Sequence, residues 1–142
     1  MSYRYLEHIG DAAIEATGAT LEEAFAEAAR AMFGLMVNAR TVAPEKSIEI
    51  EAGAATHEEL LVEFLNELLA QQGLHVLIFT DCRVHGITPG AHGGYMLTAA
   101  ASGVEPERVG ATLGHEVKAA SYLGLKVERK AGRWTVRCVL DM

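Results

Sequence analysis

The sequence predicts a single α+β domain spanning residues 1–142, a mostly antiparallel or mixed β-sheet covered by two main α-helices. Three observations carry this. Two segments place apolar residues at helical spacing behind a capping pair, most other segments carry strand patterning, and the later strands are joined by short glycine-containing turns that suit antiparallel hairpins. At 142 residues and 15.2 kDa, with 50% hydrophobic residues, the chain is long enough to bury one substantial core.

Taken in order, Tyr3 to His8 reads as a short strand, followed by Ile9-Gly10-Asp11 and a second strand from Ala12 to Thr17. Gly10 permits a tight turn or bulge that re-aims Asp11. The first helix starts at Thr20, with Glu23 as its capping partner, and its apolar face is Leu21, Phe25, Ala28, Met32, Leu35 and Met36. Asn38 or the Pro44 region is expected to end it. A strand follows over Ser47–Ala52. The second helix starts at Thr56 with Glu59 as partner, and Leu60, Leu61, Phe64, Leu65, Leu68 and Leu69 form a wide stripe that stops before Gly73. Plain core packing accounts for both stripes. Asn66 interrupts the second with a polar group, either an anchor to a nearby loop or part of a solvated face.

The remaining strands are expected over Val76–Val84, Tyr95–Ala101, Glu116–Tyr122, Leu125–Arg129 and Arg133–Met142. The Pro89–Gly94 loop and the Lys130-Ala131-Gly132 turn connect them.

Composition excludes several function classes. A formal charge of −7, with 12 basic residues among 19 acidic ones, argues against strong direct nucleic-acid binding, which depends on basic side chains releasing phosphate counterions. The apolar runs are too short for a membrane span, and the first residues lack the pattern of a signal peptide, so a cytoplasmic protein is expected. Cys82 and Cys138 form no C-x-x-C pair and read as buried thiols. The glycines at 90, 93 and 94 lack the phosphate-loop pattern, and no nucleophile-elbow or H-E-x-x-H spacing occurs. His57, His75, His85, His92 and His115 read as surface or helix-start residues.

The two ends of the chain are the most informative part. The period-two pattern from Trp134 continues to Met142, setting the Asp141 side chain beside the Met142 α-carboxylate. Either the strand ends in water with Asp141 as its solvated stop, or these oxygens meet a partner. If the first and last strands are neighbours in one sheet, Asp11 joins them. Three hard oxygen donors would then converge, a set suited to Ca²⁺, Mg²⁺ or Mn²⁺ rather than zinc. His8 is either a further ligand or outer-sphere support for Asp11, or an ordinary strand-end histidine.

Several segments together resemble the archease family over essentially the full length. They are Tyr5-Leu6-Glu7-His8 with Asp11, Thr20-Leu21-Glu22-Glu23-Ala24-Phe25 through Ala31-Met32-Phe33, Phe64-Leu65-Asn66-Glu67-Leu68-Leu69, Glu116-Val117-Lys118-Ala119, and the closing Val139-Leu140-Asp141-Met142. The resemblance implies a non-catalytic accessory protein of the GTP-dependent RNA-splicing ligase, which joins 3′-phosphate and 5′-hydroxyl RNA ends in tRNA splicing or RNA repair. Such proteins promote guanylylation of the ligase and its multiple turnover. The resemblance also implies a divalent ion, calcium among the candidates, held by Asp11, Asp141 and the terminal oxygens of Met142. Lys118 matches the family motif and is either a contact for the ligase, a balance to the acidic cluster, or an ordinary exposed strand lysine. Members commonly show His-Thr-Ala-Asp where this chain has His8-Ile9-Gly10-Asp11, which keeps the His-to-Asp spacing but removes a hydroxyl. A Thr-Tyr-His segment is here Ser121-Tyr122-Leu123, so that imidazole is absent. Two other readings use the same carboxylates: a stand-alone metal-dependent phosphohydrolase, and a chaperone or interaction module with a structural ion.

Overall fold

The computed structural model describes residues 1–6, 11–37, 43–108 and 116–142. Its elements run β1 (Ser2–Leu6), β2 (Asp11–Gly18), α1 (Leu21–Met36), β3 (Lys46–Ala54), α2 (His57–His75), β4 (Ile78–Pro89), β5 (Tyr95–Val104), β6 (Ala119–Lys130) and β7 (Arg133–Asp141). A 3-10 turn, Pro106–Arg108, follows β5.

The fold class is the one expected, and the strands divide into two sheets. One has the order β1-β2-β7-β6 and the other β3-β5-β4, and every pairing is antiparallel. Helix α1 lies against β1, β2 and β7 of the first sheet and against β4 of the second; α2 lies against β3 and β5 of the second and β6 of the first. Each helix therefore bridges both sheets. Consequently α1 is buried on more than the one stripe read from its periodicity: Ala24, Ala28, Ala29 and Ala31 are all inaccessible beside Phe25 and Met32. Small side chains let backbone approach from both sides, while Phe25 stacks on Phe64 of α2 with ring centroids 6.1 Å apart. Each such fully buried large side chain contributes roughly 1.5–3 kcal/mol of transfer free energy.

Both helix starts follow local chemistry. The Glu23 N–H donates to Thr20 Oγ1 at 3.1 Å and the Glu59 N–H donates to Thr56 Oγ1 at 3.1 Å, satisfying a free donor at each N-terminus. Glu23 also reaches back, its Oε2 accepting from the Ala19 N–H at 3.0 Å.

The end of α2 differs from expectation, whereas the residue expected to end α1 falls among those not described. Helix α1 stops at Met36, with Val37 in extended backbone, and Asn38 lies outside the described residues. Helix α2 runs through Gly73 to His75. It closes where the Leu77 N–H donates to the Gln72 carbonyl at 3.0 Å and Val76 takes left-handed backbone, φ 52°. This is the bonding pattern that usually recruits glycine, here carried by a β-branched residue.

Two hairpin turns occur where expected. Lys130 pairs with Arg133, leaving Ala131 and Gly132, both at positive φ, as a two-residue type I′ turn. At the β4–β5 turn, the Gly90 N–H donates to the Gly94 carbonyl at 3.0 Å. Gly94 has φ +68°, and a Cβ there would lie 2.4 Å from the Ala54 carbonyl oxygen.

The two strands expected at 116–122 and 125–129 are one strand, β6, with an irregularity in it. Ser121 pairs with Val139 and the next pair is Lys126 with Arg137, so the excursion between them faces Cys138 alone. Among the described residues no helix is long and apolar enough to cross a membrane.

Candidate metal centre at the chain ends

The strand that pairs with the last one is β2, not the first: β1 sits at the sheet edge, and β2 lies between it and β7. The consequence for the carboxylates is as expected. Asp11 opens β2 and Asp141 closes β7, and the two are direct cross-strand partners, in register with Ala12–Leu140 and Ala13–Val139. Residues directly opposite in an antiparallel pair share a face and hold their Cβ atoms roughly 4.5–5.5 Å apart. Strand alternation then sorts the terminus. Leu140 is fully buried and Met142 packs against the core, while Asp141 is turned to the exposed side with Asp11.

The other flank of β7 is β6. Ala119 pairs with Asp141, and the Lys118 N–H donates to the Asp141 carbonyl at 2.8 Å. The Lys118 side chain is exposed. Three separate chain segments thus converge on Asp141, with its α-carboxylate neighbour Met142 immediately beyond. His8 lies outside the described residues.

As a donor set, two aspartates and a terminal carboxylate offer only hard oxygens. Ca²⁺, Mg²⁺ and Mn²⁺ accept such donors and complete their shells with water or carbonyl oxygens. Among the described residues no three His, Cys, Asp or Glu side chains form a metal cluster. Asp11, Asp141 and the Met142 carboxylate offer oxygen donors alone, so these residues fit a weakly enclosed hard cation and do not fit zinc.

The model of the Archease protein family (MTH1598/TM1083) matches residues 3–142. The chain belongs to the archease family. The archease of Thermococcus kodakarensis is 36% identical over 143 residues, covering 99% of this chain and 98% of that protein. The archease of Methanopyrus kandleri is 33% identical over 144 residues, covering all of both. The solution structure of protein 1598 from Methanobacterium thermoautotrophicum superposes with a TM-score of 0.82 at 26% identity, covering 99% of this chain and 98% of that one. The crystal structure of an archease from Thermotoga maritima, described as a possible chaperone, shares the fold at TM-score 0.61 and 19% identity, covering 96% and 94% of the two chains.

Around the archease terminus, other polar groups are firmly engaged. Asn66 of α2 is the anchor rather than a solvated residue: its Nδ2 donates to the Ala120 carbonyl at 3.3 Å and its Oδ1 accepts from the Ala120 N–H at 2.7 Å. Tyr122 donates its hydroxyl to Glu63 at 2.7 Å, one helical turn away. On the exposed face, Glu15 accepts from Arg137 at 2.8 Å and from Arg4 at 2.9 Å. The Arg137 hydrogen bond, reinforced by Arg4, holds the Glu15 carboxyl below its ordinary range against the opposing effect of desolvation. No sequence signal announces this row, because Arg4, Glu15 and Arg137 meet only through strand pairing.

The cysteines are buried, and burial pushes the thiols of Cys82 and Cys138 up to about 12. Neither is a thiolate nucleophile at neutral pH. Of the histidines, His57 opens α2 as read from sequence and packs against Tyr95, ring centroids 4.0 Å apart. His115 lies outside the described residues.

Proposed function

We propose that this archease is an accessory activator of the GTP-dependent 3′-phosphate/5′-hydroxyl RNA-splicing ligase, promoting its guanylylation and repeated turnover in tRNA splicing or RNA repair. The observation that carries the proposal is the direct pairing of Asp11 with Asp141. Two carboxylates facing each other repel, and a divalent cation between them converts that repulsion into binding. In this reading Asp11, Asp141 and the terminal oxygens of Met142 hold the ion, and His8 supports Asp11.

A divalent ion, when bound, supplies positive charge that neutralises triphosphate oxygens during nucleotidyl transfer. The chain's own part is positional. The β2–β7 pairing sets the two aspartates opposite each other at one end of the sheet, from where they can approach a partner's nucleotide site. The overall charge of −7 favours docking to a basic RNA channel when that channel is empty, and in this reading Lys118, whose backbone N–H donates to the Asp141 carbonyl, serves as a contact for the partner. The protein acts in the cytoplasm.

The test is single-turnover guanylylation of the cognate ligase with and without this protein. Wild type should accelerate the step, and Asp11→Ala and Asp141→Ala should abolish the acceleration while keeping a native circular dichroism spectrum. Normal stimulation by both variants would refute the proposal. Incubation of the protein alone with phosphodiester and phosphomonoester substrates should give no turnover; hydrolysis there would favour a stand-alone phosphohydrolase.

A further inference from the structure

The end of β6 that flanks Asp141 is a weak piece of sheet. Only the pairs Ala119–Asp141, Ala120–Leu140 and Ser121–Val139 precede the irregularity, after which the ladder resumes at Lys126–Arg137. Three ladder pairs at the end of a strand, cut off from the continuous part, would be expected to fray. β6 is also an edge strand, so among the described residues its outer backbone groups have no neighbouring strand to hold them.

Asn66 supplies what the missing strand would have supplied. Its amide bonds both the N–H and the carbonyl of Ala120, at 2.7 and 3.3 Å, reproducing from a helix the two-bond exchange of a strand pair. The amide orientation follows from the partner, since the Ala120 N–H requires an acceptor and its carbonyl a donor. Glu63, three residues earlier on the same face of α2, holds Tyr122 at 2.7 Å. These three bonds attach Ala120 and Tyr122 of β6 to the helix. With Ala120 fixed, Ala119 stays opposite Asp141 and the Lys118 N–H stays on the Asp141 carbonyl.

We infer that Asn66 is a positioning residue for the carboxylate site: by clamping Ala120 it fixes the backbone of Asp141 from the β6 side, while Asp11 pairs with it from the β2 side. The inference rests on the proposed cation site. Its physical content is that groups supporting a metal ligand typically change affinity by about 10–100-fold when removed, although they touch no metal themselves.

The experiment titrates Mn²⁺ and Ca²⁺ into wild type, Asn66→Ala, Asn66→Asp and Ile50→Val, reading affinity by calorimetry and folding by circular dichroism. Asn66→Asp keeps the acceptor for the Ala120 N–H and loses only the donor, which preserves a testable variant if Asn66→Ala does not fold. Ile50→Val thins the core of the other sheet, where Ile50 is 1% exposed, and controls for general loss of stability. Asn66→Ala is expected to weaken ion binding at least about tenfold and Asn66→Asp by a smaller factor, with Ile50→Val unchanged. If wild type binds an ion and the folded Asn66 variants bind it equally, the inference fails and the cation site stands. If Ile50→Val weakens binding as much as the Asn66 variants do, Asn66 acts only through stability and the inference fails. If wild type binds neither ion, the site and the inference fall together.

Discussion

Asp11 and Asp141 face each other across the β2–β7 ladder, from opposite ends of the chain, in register with the buried pair Ala12–Leu140. The buried neighbours fix that register, because a one-residue slip would expose Leu140 and bury Asp141. The acidic pair is therefore imposed by core packing, and it exists whether or not an ion is present.

This gives opposite expectations with and without metal. In a chelator, Asp141→Asn should stabilise the protein by up to about 1 kcal/mol, since like charges directly opposite are unfavourable. In saturating divalent ion the order reverses: wild type gains roughly 2.7 kcal/mol at a free ion concentration near 100 Kd, and the variant gains little. Thermal melts in EDTA and in Ca²⁺, Mg²⁺ or Mn²⁺ measure both. A wild-type melting temperature indifferent to all three ions would remove the cation site.

Glu15 ties stability to pH. Its folded carboxyl lies below the ordinary value of 4.5 because Arg137, then Arg4, favour the charged form. A depressed folded value contributes stability that is present above the ordinary value and is lost as pH falls through the folded one. Glu15→Gln should thus cost about 1 kcal/mol at pH 7, where it also strips a carboxylate from two guanidinium groups, and progressively less in acid. Urea unfolding of both proteins from pH 7 down to pH 3 gives the curve. A cost that persists undiminished at the acid end would mean that Glu15 acts by packing alone.

Val76 predicts a gain. It is 66% exposed and held at φ 52°, so replacing it with glycine removes left-handed strain without emptying the core. Val76→Gly should stabilise by about 0.5–1 kcal/mol, after allowing for the greater freedom glycine confers on the unfolded chain. Denaturant midpoints at constant slope decide it, and a lower midpoint would show that the Val76 side chain makes a contact worth more than its strain.

Helix starts were legible because capping is chemistry within four residues: Thr20 with Glu23 and Thr56 with Glu59 needed no knowledge of the rest. The end of α2 was not, since Gly73 looks like a terminator by itself. The structure carries the helix past it until Leu77 can bond back to Gln72 and begin the burial of the strand that follows. Similarly, Asn66 could be singled out as a polar break in an apolar stripe, but whether it met water or backbone depended on where β6 lay.

By itself the sequence determined the α+β class, the two hairpin turns and the apolar stripes, all properties of residues close together in the chain, and it singled out Asp11 and Asp141 as candidate oxygen donors. Only the tertiary structure decided that the strands form two sheets bridged by both helices, that β2 rather than β1 lies beside β7, and that Asn66 grips Ala120. Those choices rest on contacts between residues far apart in sequence, where which surfaces can be buried together, and not local preference, sets the free energy.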